Sequence, residues 1–301
     1  MTTYHDPVLL QECVDALRIV PDGIYVDVTF GGGGHSREIL KRLGPKGRLI
    51  AFDQDEDAQK NAIADKRFTL VRHNYRYIRH FLRYFDALPV NGLLADLGIS
   101  SYQIDEAEKG FSIRFNAPLD MRMNRKSDLT AAKVLNEYPE SELLRLLSEF
   151  GEVRNARSLA RKIAEIRKER KIEEIDDFKE RISSCVDKQH ESQYYAKVFQ
   201  AIRIEVNDEL NALKELLLRS SEVIGQQGRL VVMSYHSLED RLVKNFISRG
   251  KFEGETEKDL FGNNIQVPFR ALTKKPVEAG EAEISRNPRA RSAKLRIAER
   301  I

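Results

Sequence analysis

Three aspartates frame the chemistry open to this sequence. Asp27 closes the stretch Ile24-Tyr25-Val26, Asp53 follows Arg48-Leu49-Ile50-Ala51-Phe52, and Asp96 closes Val90-Asn91-Gly92-Leu93-Leu94-Ala95. Each stretch is short and rich in branched or aromatic side chains, the pattern of a buried strand. Ligands of open parallel sheets bind beyond the carboxyl ends of the strands, so strand-end acids share one crevice. A carboxylate there can accept both hydroxyls of a ribose, as expected of Asp53. It can sit near a charged amino acid group, as expected of Asp27; Asp96 faces the same crevice, either as a functional acid or as an N-cap or turn acid.

The first strand runs into Gly31-Gly32-Gly33-Gly34-His35-Ser36, with helix-like Glu38, Ile39, Leu40 and Leu43 behind it. Ser36 is the expected N-cap. Glycines let the backbone turn tightly and approach a ligand, and the helix start offers free N–H groups. Gly31, Gly33 and Ser36 match the dinucleotide pattern G-x-G-x-x-G only in part. S-adenosylmethionine (SAM), a nicotinamide or flavin cofactor, and a plain glycine turn therefore all stay open, with the acids favouring SAM.

The remaining elements follow the same rhythm up to Asp96. An amphipathic helix carries Leu9, Leu10, Val14 and Leu17, a helix is expected over 56–64, and Phe68-Thr69-Leu70-Val71 forms a third strand. Tyr75 lies just past that strand, either stacked on an adenine or buried as a core aromatic. The rhythm then stops. A loop with Arg114, Arg122 and Arg125 leads to helices over 129–138, 141–150, 154–171, 175–186, 194–206 and 210–223. On the third of these, Arg154, Arg157, Arg161 and Lys168 can share a face, either as a solvated surface or as phosphate contacts. A turn at 225–228 precedes the strand 229–234, which aims Tyr235 and His236 at the crevice. His236 is a structural hydrogen-bonder or a substrate contact. Ser237-Leu238-Glu239-Asp240 resembles a capping box. The basic segment with Arg289 and Arg291 leads to a last strand through Leu295, Ile297 and Ala298.

The fold expected is α/β: a Rossmann-like, SAM-type sheet with an all-helical domain inserted after the fourth strand. The domains are 1–105 and 207–301 for the sheet and 106–206 for the insert. The 301 residues include 32% charged side chains at a net charge of +3, so a nucleic-acid site must come from local clustering. Two cysteines, Cys13 and Cys185, have no pairing pattern and suggest a reducing cytoplasm. The six histidines have no metal-ligand spacing, so no metal is expected. No signal peptide or membrane-spanning stretch is expected either.

The blocks HDPVLLQE (5–12), DVTFGGGGHS (27–36), DLGISSYQID (96–105), GFS…PLDMRM (110–123), FQAIRIEVNDEL (199–210), SYHSLEDR (234–241) and NPRARSAKLR (287–296) together resemble the RsmH (MraW) family of ribosomal RNA small-subunit methyltransferases. The resemblance covers about residues 5–297. It implies SAM as methyl donor and, as acceptor, the N4 amine of a cytidine in the decoding region of small-subunit (16S) ribosomal RNA, in an assembled or assembling subunit. By motif position, Gly33, Gly34, His35, Asp53, Tyr75, Asp96 and Gln103 would contact SAM. Asp27 and Gly31 join them on the strand-and-loop argument, and Asp96 is the candidate catalytic group. Arg122, Arg157, Arg161, Lys197, His236, Arg289 and Arg291 are the candidate RNA contacts. The sequence departs from the family pattern where Tyr75 replaces a usual Phe and where acids are usual near Asn116 and Asn124. It departs again where Gln193-Tyr194-Tyr195-Ala196-Lys197 replaces His-Pro-Ala-Thr-Arg, which loses a planar guanidinium. Other readings are a SAM-binding assembly protein without catalysis, a DNA amino-methyltransferase (disfavoured by the missing N-P-P-Y loop) and a nicotinamide oxidoreductase. Monomer and homodimer both stay open.

Overall fold

A computed structural model describes residues 7–254 and 267–301; His5 and Asp6 of the first family block lie outside them. In chain order the elements are α1 (Leu10–Ala16), β1 (Ile24–Asp27), α2 (Gly34–Arg42), β2 (Arg48–Phe52), β3 (Phe68–Val71), α3 (Ile78–Tyr84) and β4 (Val90–Asp96). Next come α4 (Ser101–Asp105), α5 (Ala131–Glu137), α6 (Glu140–Glu149), α7 (Ala156–Glu169), α8 (Ile175–Arg181) and α9 (Glu191–Asn207). The chain closes with α10 (Glu209–Val223), β5 (Ile224–Ser234), α11 (Ser237–Arg249), β6 (Phe269–Ala271), α12 (Glu281–Arg286) and β7 (Lys294–Arg300). Two compact units result: 1–98 with 210–301, and 99–209.

The first unit is built on a seven-stranded sheet in the order β3-β2-β1-β4-β5-β7-β6. β1 to β5 run parallel, and β7 joins antiparallel to β5 and β6. The chain order reverses between β1 and β4, the switch point at which such sheets bind ligands. Alternation of side chains serves both faces. Val26, Ile50, Phe52, Leu93 and Val232 pack on one side with Ile78, Leu82, Leu213, Leu216 and Phe246. Tyr25, Leu49, Leu94, Val231 and Met233 pack on the other with Cys13, Val14, Leu17, Ile39 and Leu40. Each fully buried Leu or Ile contributes on the order of 2 kcal/mol, which fixes the strand ends and the acids they carry.

Local differences from the sequence reading have physical causes. Over 56–64 the chain forms a short 3₁₀ helix, Glu56–Asn61, capped by Asp55, whose side chain accepts Asp57 N–H. Only Ala58 of this segment is buried, and without an apolar stripe a longer α-helix has nothing to pack on. The turn expected at 225–228 is an excursion inside β5: its pairing with β4 jumps from Val90↔Ile224 to Gly92↔Arg229, and Gln227 adopts φ 63°.

In the second unit the regular elements, among the described residues, are helices. Leu143, Leu146, Leu159, Ile163, Val198 and Ile202 form its core. The segment before α5 is pinned by backbone bonds, Leu119 N to Glu173 O at 2.8 Å and Ala131 N to Asp120 O at 2.9 Å. Asn116 bridges to α8 through Glu174 Oε2 at 2.8 Å and Asp176 N at 3.1 Å. Asn124 accepts Lys126 N–H at 3.0 Å. Both departures from the family pattern thus serve local turns and links.

Candidate active site

β1 ends in Asp27, which is 1% exposed. Its Oδ2 accepts the Ser36 hydroxyl at 2.6 Å and its Oδ1 accepts Thr29 N–H at 3.1 Å. Burial pushes this carboxyl upward, and these two bonds together with one from the Thr29 side chain oppose the shift. Ser36 is not the N-cap. α2 starts at Gly34 behind Gly33, whose φ of +75° is a left-handed conformation, so Ser36 lies one turn in. A Cβ on Gly33 would also come within 2.8 Å of the Phe30 ring. Among the described residues no side chain caps this helix start, which leaves amide N–H groups available to a ligand.

Asp53, just past β2, braces the glycine loop. Its Oδ2 accepts Gly31 N–H at 2.8 Å, and its Oδ1 accepts Asp55 N–H at 2.8 Å. Burial raises its pKa to about 6. The loop is held further by Asn61 Nδ2 on Gly31 O at 3.1 Å and Arg37 Nη1 on Gly32 O at 2.5 Å.

Asp96 ends β4, and its side chain is 24% exposed. Its backbone N–H donates to Thr29 Oγ1 at 2.7 Å, which ties β4 to the segment after β1. Tyr235 donates its hydroxyl to Oδ1 at 2.8 Å. Oδ2 lies 3.8 Å from His35 Nδ1. Burial, with Asp27 and Glu239 adding like charge, raises the Asp96 pKa to about 7 against the lowering effect of Tyr235. Burial lowers the His35 pKa to about 4, so the imidazole is neutral at neutral pH and its contact with Asp96 is not an ion pair. Among the described residues, buried His35 Nε2 has no hydrogen-bond partner.

Asp27, Gly31, Gly33, Gly34, His35, Asp53 and Asp96 are therefore gathered at the carboxyl edge of β1, β2 and β4. Tyr75 opens the 3₁₀ turn Tyr75–Tyr77 just past β3 and is partly buried against the apolar layer holding Phe52 and Val71. Gln103 belongs to the helical unit, where it forms a capping box: its Oε1 accepts Ser100 N–H at 3.0 Å while Ser100 Oγ accepts Gln103 N–H at 3.2 Å.

The candidate RNA contacts divide by environment. Arg157 and Arg161 are exposed on α7, with Arg161 paired to Glu165 at 3.0 Å. Lys197 is exposed on α9 and reaches Glu152 O at 3.4 Å. Arg291 is exposed and Arg289 half-buried in the turn before β7. Arg122 instead clamps its own loop, gripping Asp120 at 2.8 Å through two nitrogens and reaching Ser127 O at 2.7 Å. His236 is the N-cap of α11, one residue before the expected Ser237; its ring faces the Glu239 amide at 3.5 Å, and its Nε2 lies 3.3 Å from Glu239 Oε1. The other Glu239 oxygen accepts Tyr235 N–H at 2.9 Å.

The profile of the MraW methylase family matches residues 2–301. The chain belongs to this family. The ribosomal RNA small subunit methyltransferase H of Bacteroides fragilis is 55% identical over 99% of this methylase and 98% of its own length. Its counterpart from Flavobacterium johnsoniae is 56% identical over the full length of both chains. A solved rRNA methylase from Streptococcus thermophilus aligns over 97% of this chain and 93% of its own at 11% identity and a TM-score of 0.42, too distant a likeness to carry an argument.

Thr29, Ser36, Tyr235 and Glu239 hold the acids of this methylase, and the sequence reading gave none of them that role. Tyr235 had a partial signal, its place at a strand's carboxyl end. Ser36 had the misleading signal of a cap.

Proposed function

We propose that this chain is a SAM-dependent methyltransferase acting on the N4 amine of a cytidine in the decoding region of small-subunit (16S) ribosomal RNA, within an assembled or assembling subunit in the cytoplasm. The names of its relatives, at 52–56% identity, support this reading. The observation that carries it is the convergence of Asp27, Asp53 and Asp96 on one sheet edge beside an uncapped helix start. Among the described residues no helix is long and apolar enough to cross a membrane.

The residues fit SAM. Burial pushes the Asp53 and Asp96 carboxyls up to about 6 and about 7, so each gains from a ligand that favours its charged form: the hydroxyl donors of a ribose at Asp53 and a positive charge near Asp96. The Gly33 turn leaves a close backbone approach that a Cβ would block. Asp27 and the loop amides would hold the amino acid part, Asp53 the ribose, and Tyr75 the adenine. Gln103 is proposed as a further contact on family position. SAM supplies a methyl group already activated on a positively charged sulfur.

The protein's task is then the acceptor. The cytosine N4 lone pair is delocalised into the ring. Asp96 Oδ2, left free of the Tyr235 bond, can accept an N4 proton and localise that pair. A recessed carboxylate with a pKa near 7 is suited to this work near neutral pH. Fixing the acceptor next to the donor in a water-poor site supplies much of the acceleration. A paired cytidine cannot offer this edge, so the target is unpaired or flipped out. Arg157, Arg161 and Lys197 of the helical unit and Arg289 and Arg291 near β7 are proposed phosphate contacts. That unit, expected over 106–206, is proposed as the substrate-recognition domain. Arg122 and His236 are committed to a loop and a cap.

The test is transfer of labelled methyl from SAM to naked small-subunit RNA, to assembled subunits from cells lacking this protein, and to duplex DNA. The expected product is N4-methylcytidine in an RNA arm. No transfer to any acceptor, with SAM bound, would overturn the catalytic reading.

A further inference from the structure

We propose that Tyr235 is a positioning residue for this reaction: its hydroxyl caps Asp96 Oδ1 and leaves Oδ2 as the oxygen that meets the acceptor amine. The inference rests on the proposed role of Asp96. Three separate features hold Tyr235 in place. Its O–H reaches Asp96 at 2.8 Å. Its backbone N–H is locked by Glu239 Oε2 at 2.9 Å, so the turn between β5 and α11 cannot swing freely. Its ring lies against Gly98, where φ is +91° and an added Cβ would sit 3.4 Å from Cδ2. Burial and the nearby acid keep the Tyr235 pKa well above its usual value, so it stays a donor.

The groups facing Asp96 come from several elements: Asp27 from β1, His35 from α2, Cys13 from α1, Glu239 from α11 and Tyr235 itself. His35 is neutral and Cys13 is held protonated by burial. Asp27 and Glu239 repel a charge on Asp96, which leaves Tyr235 as the donor that stabilises the carboxylate. Removing a hydrogen bond to a charged group favours the protonated form.

The test compares wild type, Tyr235→Phe and Asp96→Asn. For Tyr235→Phe the pH midpoint of kcat at saturating SAM moves up by about one pH unit, so kcat at the wild-type midpoint falls about fivefold and recovers well above it, while KM for SAM rises near neutral pH and returns to the wild-type value at pH 9. A ¹³C-carboxyl NMR titration, with Asp96 assigned by its absence in Asp96→Asn, reads the same upward move without needing turnover. Unmoved midpoints in both readouts would overturn the proposal. If the NMR midpoint moves but the kcat profile does not, or if Asp96→Asn keeps full activity, the role of Asp96 is wrong and the inference falls with it. If kcat is lost equally at all pH values, Tyr235 is structural and the proposal is overturned.

Discussion

The Ser36 hydroxyl donates to Asp27 Oδ2 at 2.6 Å, so the third residue of α2 anchors the acid that ends β1. The contact lies within the turn that carries the glycines. It stabilises the ionised form of a carboxyl whose pKa burial raises.

Ser36→Ala leaves Asp27 buried with the Thr29 backbone N–H and side chain as its hydrogen-bond partners. Removing one partner from a buried charge costs about 1–3 kcal/mol. The loss should be larger at pH 8 than at pH 5, because the deleted bond favours the charged form. Urea unfolding at the two pH values measures it. Equal stability of variant and wild type would show that the bond does not hold the strand end.

Asp96→Asn should change the pH dependence of stability. The Asp96 pKa is about 7 in the folded protein and about 3.9 unfolded. A raised pKa stabilises fully below the unfolded value, and that stabilisation is lost as pH rises through the folded value. The ligand-free wild type therefore weakens between about pH 4 and pH 7. The variant keeps an acceptor for Tyr235 and lacks this slope. Relative to wild type it should gain about 2–4 kcal/mol on going from pH 5 to pH 8, while methyl transfer is abolished. Parallel thermal-shift curves across that range would refute the raised pKa.

Much of this site is legible in sequence because strand patterning is local. The runs before Asp27, Asp53 and Asp96 announce buried strands, and parallel topology brings their ends together. The groups that tune those acids are not legible. Tyr235 meets Asp96 across 139 positions of chain, and Thr29 meets it across 67; no periodicity encodes such contacts. Ser36 misleads because local reading sees a cap where Gly33 supplies the backbone geometry. The segment 56–64 misleads because charged residues with good helix propensity lack a face to bury. Arg122 looks like a free cation until its loop closes on Asp120.

Arginines on α7 should separate into two behaviours. Arg167 donates to Tyr138 O at 2.6 Å and Leu135 O at 3.1 Å, satisfying carbonyls at the end of α5. Arg167→Ala should cost about 1–2 kcal/mol in unfolding free energy. Arg157 and Arg161 are exposed, and the Arg161–Glu165 pair is surface-screened. Alanine at both should leave stability within about 0.5 kcal/mol. Filter binding to small-subunit RNA over a salt series should show weaker affinity and a salt slope reduced by about 1 per lost contact. An unchanged slope would assign these side chains to a solvated surface.

Binding of SAM should release protons near neutral pH. Asp53 and Asp96, with pKa values of about 6 and about 7, are partly protonated there. The ribose hydroxyls at Asp53 and the positive charge near Asp96 favour the carboxylates and drive their protons off, so affinity rises with pH until both are ionised. Between pH 8 and pH 5.5 the affinity should fall by about tenfold or more, since protonating even one of the two acids before binding costs a factor of ten per pH unit below its pKa. Calorimetry in phosphate and in Tris separates the released protons from the binding heat. S-adenosylhomocysteine, which lacks the sulfonium charge, should release fewer protons and depend less on pH. Asp96→Asn should remove the part of the release centred near pH 7 and leave the part near pH 6, because Asp53 keeps its two backbone donors at Gly31 and Asp55 in that variant. An affinity independent of pH, with no buffer dependence of the heat, would mean that these acids do not meet the ligand.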